Sequence, residues 1–136
     1  MNKNENEFSR WFSQAKFDLE AAKVSLKAKH YEWACFQTQQ SGTKALKAFL
    51  YLHGRQLIIT HSIHKLLQEC NKLEDLEDEF QTIKKTKDLD IYYIPTRYPN
   101  GLPDQIPHEF YQKEDAEVCV DYAEQILSRI EQLTKK

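Results

Sequence analysis

A chain of 136 residues with 40% apolar residues, 19 Lys and Arg against 21 Asp and Glu, three Gly and four Pro carries enough apolar material for one core and too little for two. Its formal net charge of −2 excludes a broad basic face for nucleic acid, so any phosphate recognition has to be local. No stretch approaches the roughly 20 uncharged apolar residues of a membrane span, and the start Met1-Asn2-Lys3-Asn4-Glu5 lacks the apolar segment of a secretory signal, so the expected location is cytoplasmic.

Phe8, Trp11, Phe12, Ala15, Leu19, Ala22 and Leu26 recur every three or four positions, which predicts one long amphipathic helix. The pattern restarts at Tyr31 with Ala34, Cys35, Thr38, Ala45, Leu46, Phe49 and Leu52, and Trp33 and Phe36 widen the apolar arc. This second helix is expected to be the most buried and to stop at His53-Gly54, where glycine takes a left-handed conformation. Ser41-Gly42-Thr43 in its middle costs helix propensity and reads as a crossing point where another backbone comes close. Thr60 is the expected N-cap of a third helix carrying Ile63, Leu66, Leu67, Cys70 and Leu73. Leu57-Ile58-Ile59 before it has no second strand to pair with. A fourth helix is expected from about Leu76 through Phe80 and Ile83, its apolar surface restored at Leu89, Tyr92, Tyr93 and Ile94 and ended or bent by Pro95. Residues of about 96–113 hold Pro99, Pro103, Pro107 and Gly101 and read as a long, ordered-to-mobile loop, a length uncommon without a function. The last helix starts at about Glu114 or Asp115 and runs through Cys119, Ala123, Ile126 and Ile130 to Leu133. Cys35, Cys70 and Cys119 are distant and sit among apolar helical positions, as buried reduced thiols do. The expected fold is a single all-α domain over residues 1–136, an up-and-down antiparallel bundle of four to five helices.

Tyr31-Glu32-Trp33-Ala34-Cys35-Phe36-Gln37-Thr38-Gln39-Gln40 followed by Lys44-Ala45-Leu46-Lys47-Ala48 resembles the second helix of the HEPN (higher eukaryotes and prokaryotes nucleotide-binding) family. His61-Ser62, the segment Asp90-Ile91-Tyr92-Tyr93-Ile94-Pro95-Thr96-Arg97-Tyr98-Pro99, and Asp115-Ala116 with Tyr122-Ala123 fit the same family in order. The resemblance implies a helical bundle that forms a homodimer and is often encoded beside a minimal nucleotidyltransferase in a toxin–antitoxin-like pair. Many members are metal-independent endoribonucleases with an Arg and a His four to six residues apart near the last helix. This sequence departs from that pattern: ten residues separate Arg97 from His108. Arg55 and His61 have the family spacing but lie between the second and third helices.

RNA cleavage without a metal needs a base and a cation within reach of one phosphate. A ten-residue spacer rich in proline does not by itself fix Arg97 against His108, although a dimer can pair one with the other across subunits. Binding asks for less. The Arg97 guanidinium can fork onto a phosphate, Tyr93 and Tyr98 with Tyr92 offer aromatic faces or hydroxyls, and Asp90 can hold Arg97 or accept from a ribose hydroxyl. His61 and Ser62 sit where a helix N-terminus favours an anion. The alternative use of these tyrosines is to seal a dimer, with Arg97 paired to Asp90. Lys44 and Lys47 form either a solvated face or a phosphate-facing patch with Arg97. His61 and His64 share a helix face, but no neighbours complete a metal site, and no motif calls for a cofactor. The expected function is a binding module for a nucleotide or RNA phosphate, the alternatives being an endoribonuclease toxin using Arg97 and His108 and a pure interaction protein.

Overall fold

Asn2 opens the first helix: its side chain accepts from the Glu5 amide at 2.8 Å, and α1 runs Lys3–Lys27. The computed structural model describes residues 2–73 and 79–135. Phe12, Ala15, Leu19 and Ala22 form the buried stripe of α1. The chain reverses through Lys29, whose φ of 67° is left-handed, so α1 lies antiparallel to α2, Tyr31–Leu52. From Ala34 onward α2 buries residues on every side, because α1, α5, α3 and a 3₁₀ segment all pack on it. Gly54, at φ 85°, closes its end as expected.

Gly42 is where the elements converge. A Cβ there would stand 2.8 Å from Ile126 Cδ1, 3.1 Å from Ile63 Cδ1 and 3.8 Å from Leu89 Cδ1. The side-chain ends of three elements, and not another helix's backbone, are what stand nearest Gly42.

The third helix, α3 (Ile63–Asn71), is capped by Ser62, whose side chain accepts from the Lys65 amide at 3.1 Å. Thr60, the expected cap, lies two residues upstream and accepts from the Ser62 amide at 3.2 Å. Leu57-Ile58-Ile59 form no strand among the described residues; Leu57 and Ile59 are exposed and Ile58 rests on the core. The expected start of the fourth helix near Leu76 falls outside the described residues. Over Gln81–Tyr92 the chain winds as a 3₁₀ helix rather than the expected α-helix, with an irregular residue at Ile83. Ile83, Thr86 and Leu89 are buried, with Tyr92 packed against the core. Their spacing of three suits three residues per turn, whereas an α-helix would drift them off the core.

The stretch expected as an ordered-to-mobile loop holds a 3₁₀ turn at Pro99–Gly101 and a short helix, α4 (Pro107–Phe110), with the buried Pro107 at its start. Buried Tyr111 then packs on Tyr92, ring centroids 5.9 Å apart. The last helix, α5 (Lys113–Thr134), begins with reciprocal bonds between Gln112 and Asp115. It adds Ala116, Cys119, Ala123, Ile126 and Ile130 to the core. No helix among the described residues is long and apolar enough to cross a membrane.

All three cysteines are buried. A hydrogen bond from Cys119 and then burial push the Cys35 thiol far above its ordinary range, and burial does the same to Cys70. Desolvation in this interior also raises the Tyr111 phenol to about 12. Thiolate, not thiol, attacks disulfide reagents. The native chain is therefore expected to release no chromophore from Ellman's reagent at mildly alkaline pH, and all three thiols to react once denaturant is added. Fast reaction in the native state would contradict this burial.

Candidate functional site

The site starts from a tight turn at the end of the 3₁₀ helix. Buried Thr96 donates its hydroxyl proton to the Tyr92 carbonyl at 2.5 Å, and the Arg97 amide donates to the Ile94 carbonyl at 3.0 Å. With Pro95 limiting the backbone, this turn aims Arg97 back across Tyr93. The Arg97 Nε donates to the Tyr93 carbonyl at 3.0 Å. The guanidinium carbon lies 4.6 Å from the Phe36 ring centroid, 4.8 Å from Tyr93 and 5.4 Å from Tyr98. Three aromatic faces hold the cation by its ring quadrupoles. Among the described residues no carboxylate pairs with it, and its terminal nitrogens are not enclosed.

The aromatic surface continues on both sides. His61 stacks on Tyr93 at 5.4 Å with ring planes 17° apart, and Trp33 meets Phe36 edge-on at 6.0 Å. Trp33 and Tyr98 are about half exposed, at 47% and 52%. Arg97, Tyr93, Tyr98 and His61, expected from the sequence, therefore come together. Trp33 and Phe36, expected as core, instead form the platform of the site. Their position one turn before the small-residue segment of α2 gave no sign of it.

Asp90 and Ser62 are used differently from the expectation. The Asp90 Oδ1 accepts from the Ile63 amide at 2.7 Å and from Gln39 Nε2 at 3.2 Å; Oδ2 accepts from Ser62 Oγ at 2.9 Å and the His64 amide at 3.0 Å. Four donors fill a carboxylate's capacity, so Asp90 neither holds Arg97 nor keeps a lone pair for a ribose. It is itself the anion bound at the N-terminus of α3. Buried Gln39 completes this joint by donating to the His61 carbonyl at 2.7 Å, which fixes the backbone that carries the stacked imidazole. Gln39 is one of several polar residues on α2, with Thr38, Ser41 and Thr43, so nothing in the sequence singled it out for this role.

Lys44 and Lys47 lie on the α1 side. Lys44 pairs with Asp18 at 2.5 Å, while buried Lys47 sits 5.7 Å from the Trp11 ring centroid. Burial, with Lys44 nearby, lowers the Lys47 pKa. Neither joins Arg97.

His108 stands on α4, with its Nδ1 at 2.9 and 3.0 Å from the two oxygens of Glu32. The Glu32 side chain is only 5% exposed, that of His108 56%. Glu32, which holds His108, and Phe36, which holds Arg97, are four residues apart on α2, about one helical turn between their backbone positions. The helix, and not the ten-residue spacer, sets their relation. A cleft of about 780 Å³ lies at the other end of α2, lined by Phe8, Phe12, His53 and Leu133 among others, and holds none of the expected residues.

Residues 8–133 match the HEPN domain. A candidate toxin of Methanocaldococcus jannaschii is 35% identical over 133 residues, spanning 93% of this chain and 87% of that protein. A solved structure from Thermus thermophilus superposes with a TM-score of 0.84 at 36% identity, covering 93% of this chain and 98% of that one. An archaeal HEPN homologue superposes with a TM-score of 0.73 at 32% identity, covering 99% and 100%.

Proposed function

Because the chain belongs to the HEPN family, we propose that it is a binding module for a nucleotide or RNA phosphate, acting in a toxin-like pair with a minimal nucleotidyltransferase. The observation that carries the reading is Arg97 held among aromatic rings. Its Nε is spent on the Tyr93 carbonyl and its faces on Phe36, Tyr93 and Tyr98, which leaves the terminal nitrogens to fork onto two oxygens of one phosphate. The adjoining rings displace part of the water around the cation, so the charge is less screened than in open solvent. Half-exposed Tyr98 and Trp33 offer surfaces on which a base can stack. The toxin-like role draws its support from the Methanocaldococcus jannaschii relative.

Fluorescence anisotropy with labelled ATP, GTP and short single-stranded RNA tests this. A charge-assisted bond contributes about 1.5–3 kcal/mol, so Arg97→Ala is expected to weaken binding by roughly ten- to a hundredfold. Arg97→Lys restores the charge without the fork and should recover only part of it. Unchanged affinity in Arg97→Ala would refute the site. If the wild-type chain binds none of the three probes, the exposed apolar residues Trp33, Ile94, Tyr98 and Ile106 are left to homodimerisation alone.

One observation favours a second reading, the metal-independent endoribonuclease. With His108 Nδ1 hydrogen-bonded to Glu32, the ring's Nε2 is left to take a proton from a 2′-hydroxyl, and Arg97, held by Phe36 on the same helix, would meet the developing charge. RNA cleavage in excess EDTA, lost in both His108→Ala and Arg97→Ala, is the expected result of that reading; cleavage persisting in both would end it.

A further inference from the structure

Glu32 is under-coordinated for so buried a group. Both of its oxygens face a single described donor, His108 Nδ1, whereas the half-buried Asp90 collects four. A buried carboxylate with spare lone pairs calls for a further cationic or donating partner. The third group at this point is His30, at the start of α2. Its ring centroid lies 5.5 Å from that of His108, and one ligand atom from each of His30, Glu32 and His108 falls within 4.8 Å of the others.

We propose that His30, Glu32 and His108 form a binding site for a divalent transition-metal cation, with Zn²⁺ the best match. Two imidazoles and one carboxylate are ligands of the borderline class that zinc takes, and magnesium or calcium would demand more oxygens. At a tetrahedral ion two ligands each ~2.1 Å from the metal lie about 3.4 Å apart, so the His108 Nδ1–Glu32 Oε1 pair, now hydrogen-bonded at 2.9 Å, opens by about 0.5 Å to admit it. An ion at that edge replaces the shared proton, which leaves to solvent. His30 and His108 are both exposed, so ring rotation brings the third ligand in without disturbing the core. The positive end of α2 opposes the ion, and the Glu32 charge offsets it. Three protein ligands leave a fourth position open to water or a small anion.

Such an ion ties α4 to the α1–α2 turn, and with it the end of the segment that carries Arg97. This site stands on its own geometry and does not depend on phosphate binding at Arg97.

The full chain, stripped of metal with EDTA and dialysed, is titrated with ZnCl₂ by calorimetry at neutral pH. One Zn²⁺ per chain with micromolar or tighter affinity is expected, with Mg²⁺ giving no saturable heat. His30→Ala is the cleanest variant, because His30 is exposed and its side chain makes no capping bond, so folding is unaffected. It and Glu32→Gln are each expected to weaken Zn²⁺ binding by about tenfold or more, with unchanged circular dichroism for His30→Ala. His64→Ala, on a different element, should bind as wild type does. Absence of saturable Zn²⁺ binding, wild-type affinity in His30→Ala, or Mg²⁺ binding as tightly as Zn²⁺ would each overturn the assignment.

Discussion

Asp90→Ala is expected to lower the thermal midpoint by roughly 10 °C, the shift that corresponds to about 3 kcal/mol in a domain of this size. The Asp90 side chain is polar and only half-buried, so hydrophobic bookkeeping would predict almost nothing. The loss arises from four donors released together: the Ile63 and His64 amides, the Ser62 hydroxyl and the Gln39 amide. Bonds to a charged acceptor contribute about 1.5–3 kcal/mol each, water recovers part of them at a half-open site, and a helix cap alone is worth up to about 2 kcal/mol. Asp90→Asn retains one accepting oxygen and is expected to lose about half as much. The same change should loosen the His61 ring against Tyr93, because Gln39 and Asp90 together hold the start of α3. Amide hydrogen exchange at Ile63 and His64 reads this directly. A midpoint within about 2 °C of wild type would mean that solvent replaces the carboxylate without cost.

The long helices are legible in the sequence because their pattern repeats over many turns. Phe12, Ala15, Leu19 and Ala22 keep the α-helical spacing through α1, and Ala116, Cys119, Ala123, Ile126 and Ile130 keep it through α5. The 3₁₀ helix passes for an α-helix because Ile83, Thr86, Leu89 and Tyr92, three apart, lie close enough to a period of 3.6 over so short a segment. Part of the site is legible as well. Arg97 between two prolines, with Tyr93 and Tyr98 beside it, is a local signal. The rest lies in contacts between distant residues. Phe36 on an amphipathic helix looks the same whether a leucine or a guanidinium covers it, and Asp90 reaches Ile63 across 27 positions. Glu32 and His108 are 76 positions apart, so neither residue announces the other. Binary patterning locates the core; it does not say which polar groups will meet at its rim.

The convergence of α2, α3 and α5 at Gly42 sets a sharper test, because two effects of opposite sign act on one added methyl. Gly42→Ala gains about 1 kcal/mol of helix propensity but places Cβ 2.8 Å from Ile126 Cδ1 and 3.1 Å from Ile63 Cδ1. Both atoms are ends of flexible side chains and can yield by a few tenths of an ångström, so the net change in unfolding free energy is expected to stay within about 1 kcal/mol. Gly42→Val has no such escape. Its two further methyl groups enter space already held by Ile63, Ile126 and Leu89, and overpacking of this kind costs about 1–3 kcal/mol, to which a β-branched residue adds up to about 0.7 kcal/mol of lost helix propensity relative to Ala. Denaturant titration should therefore show Gly42→Val destabilised by about 1–4 kcal/mol relative to Gly42→Ala, with an unchanged slope. Ile126→Val removes the Cδ1 atom that the new Cβ meets most closely. Alone it costs about 0.5–1.5 kcal/mol, but in Gly42→Ala the cost should shrink, because the same deletion relieves the clash. That coupling is the decisive measurement: strictly additive effects of Gly42→Ala and Ile126→Val would show that the two helices do not meet at this glycine.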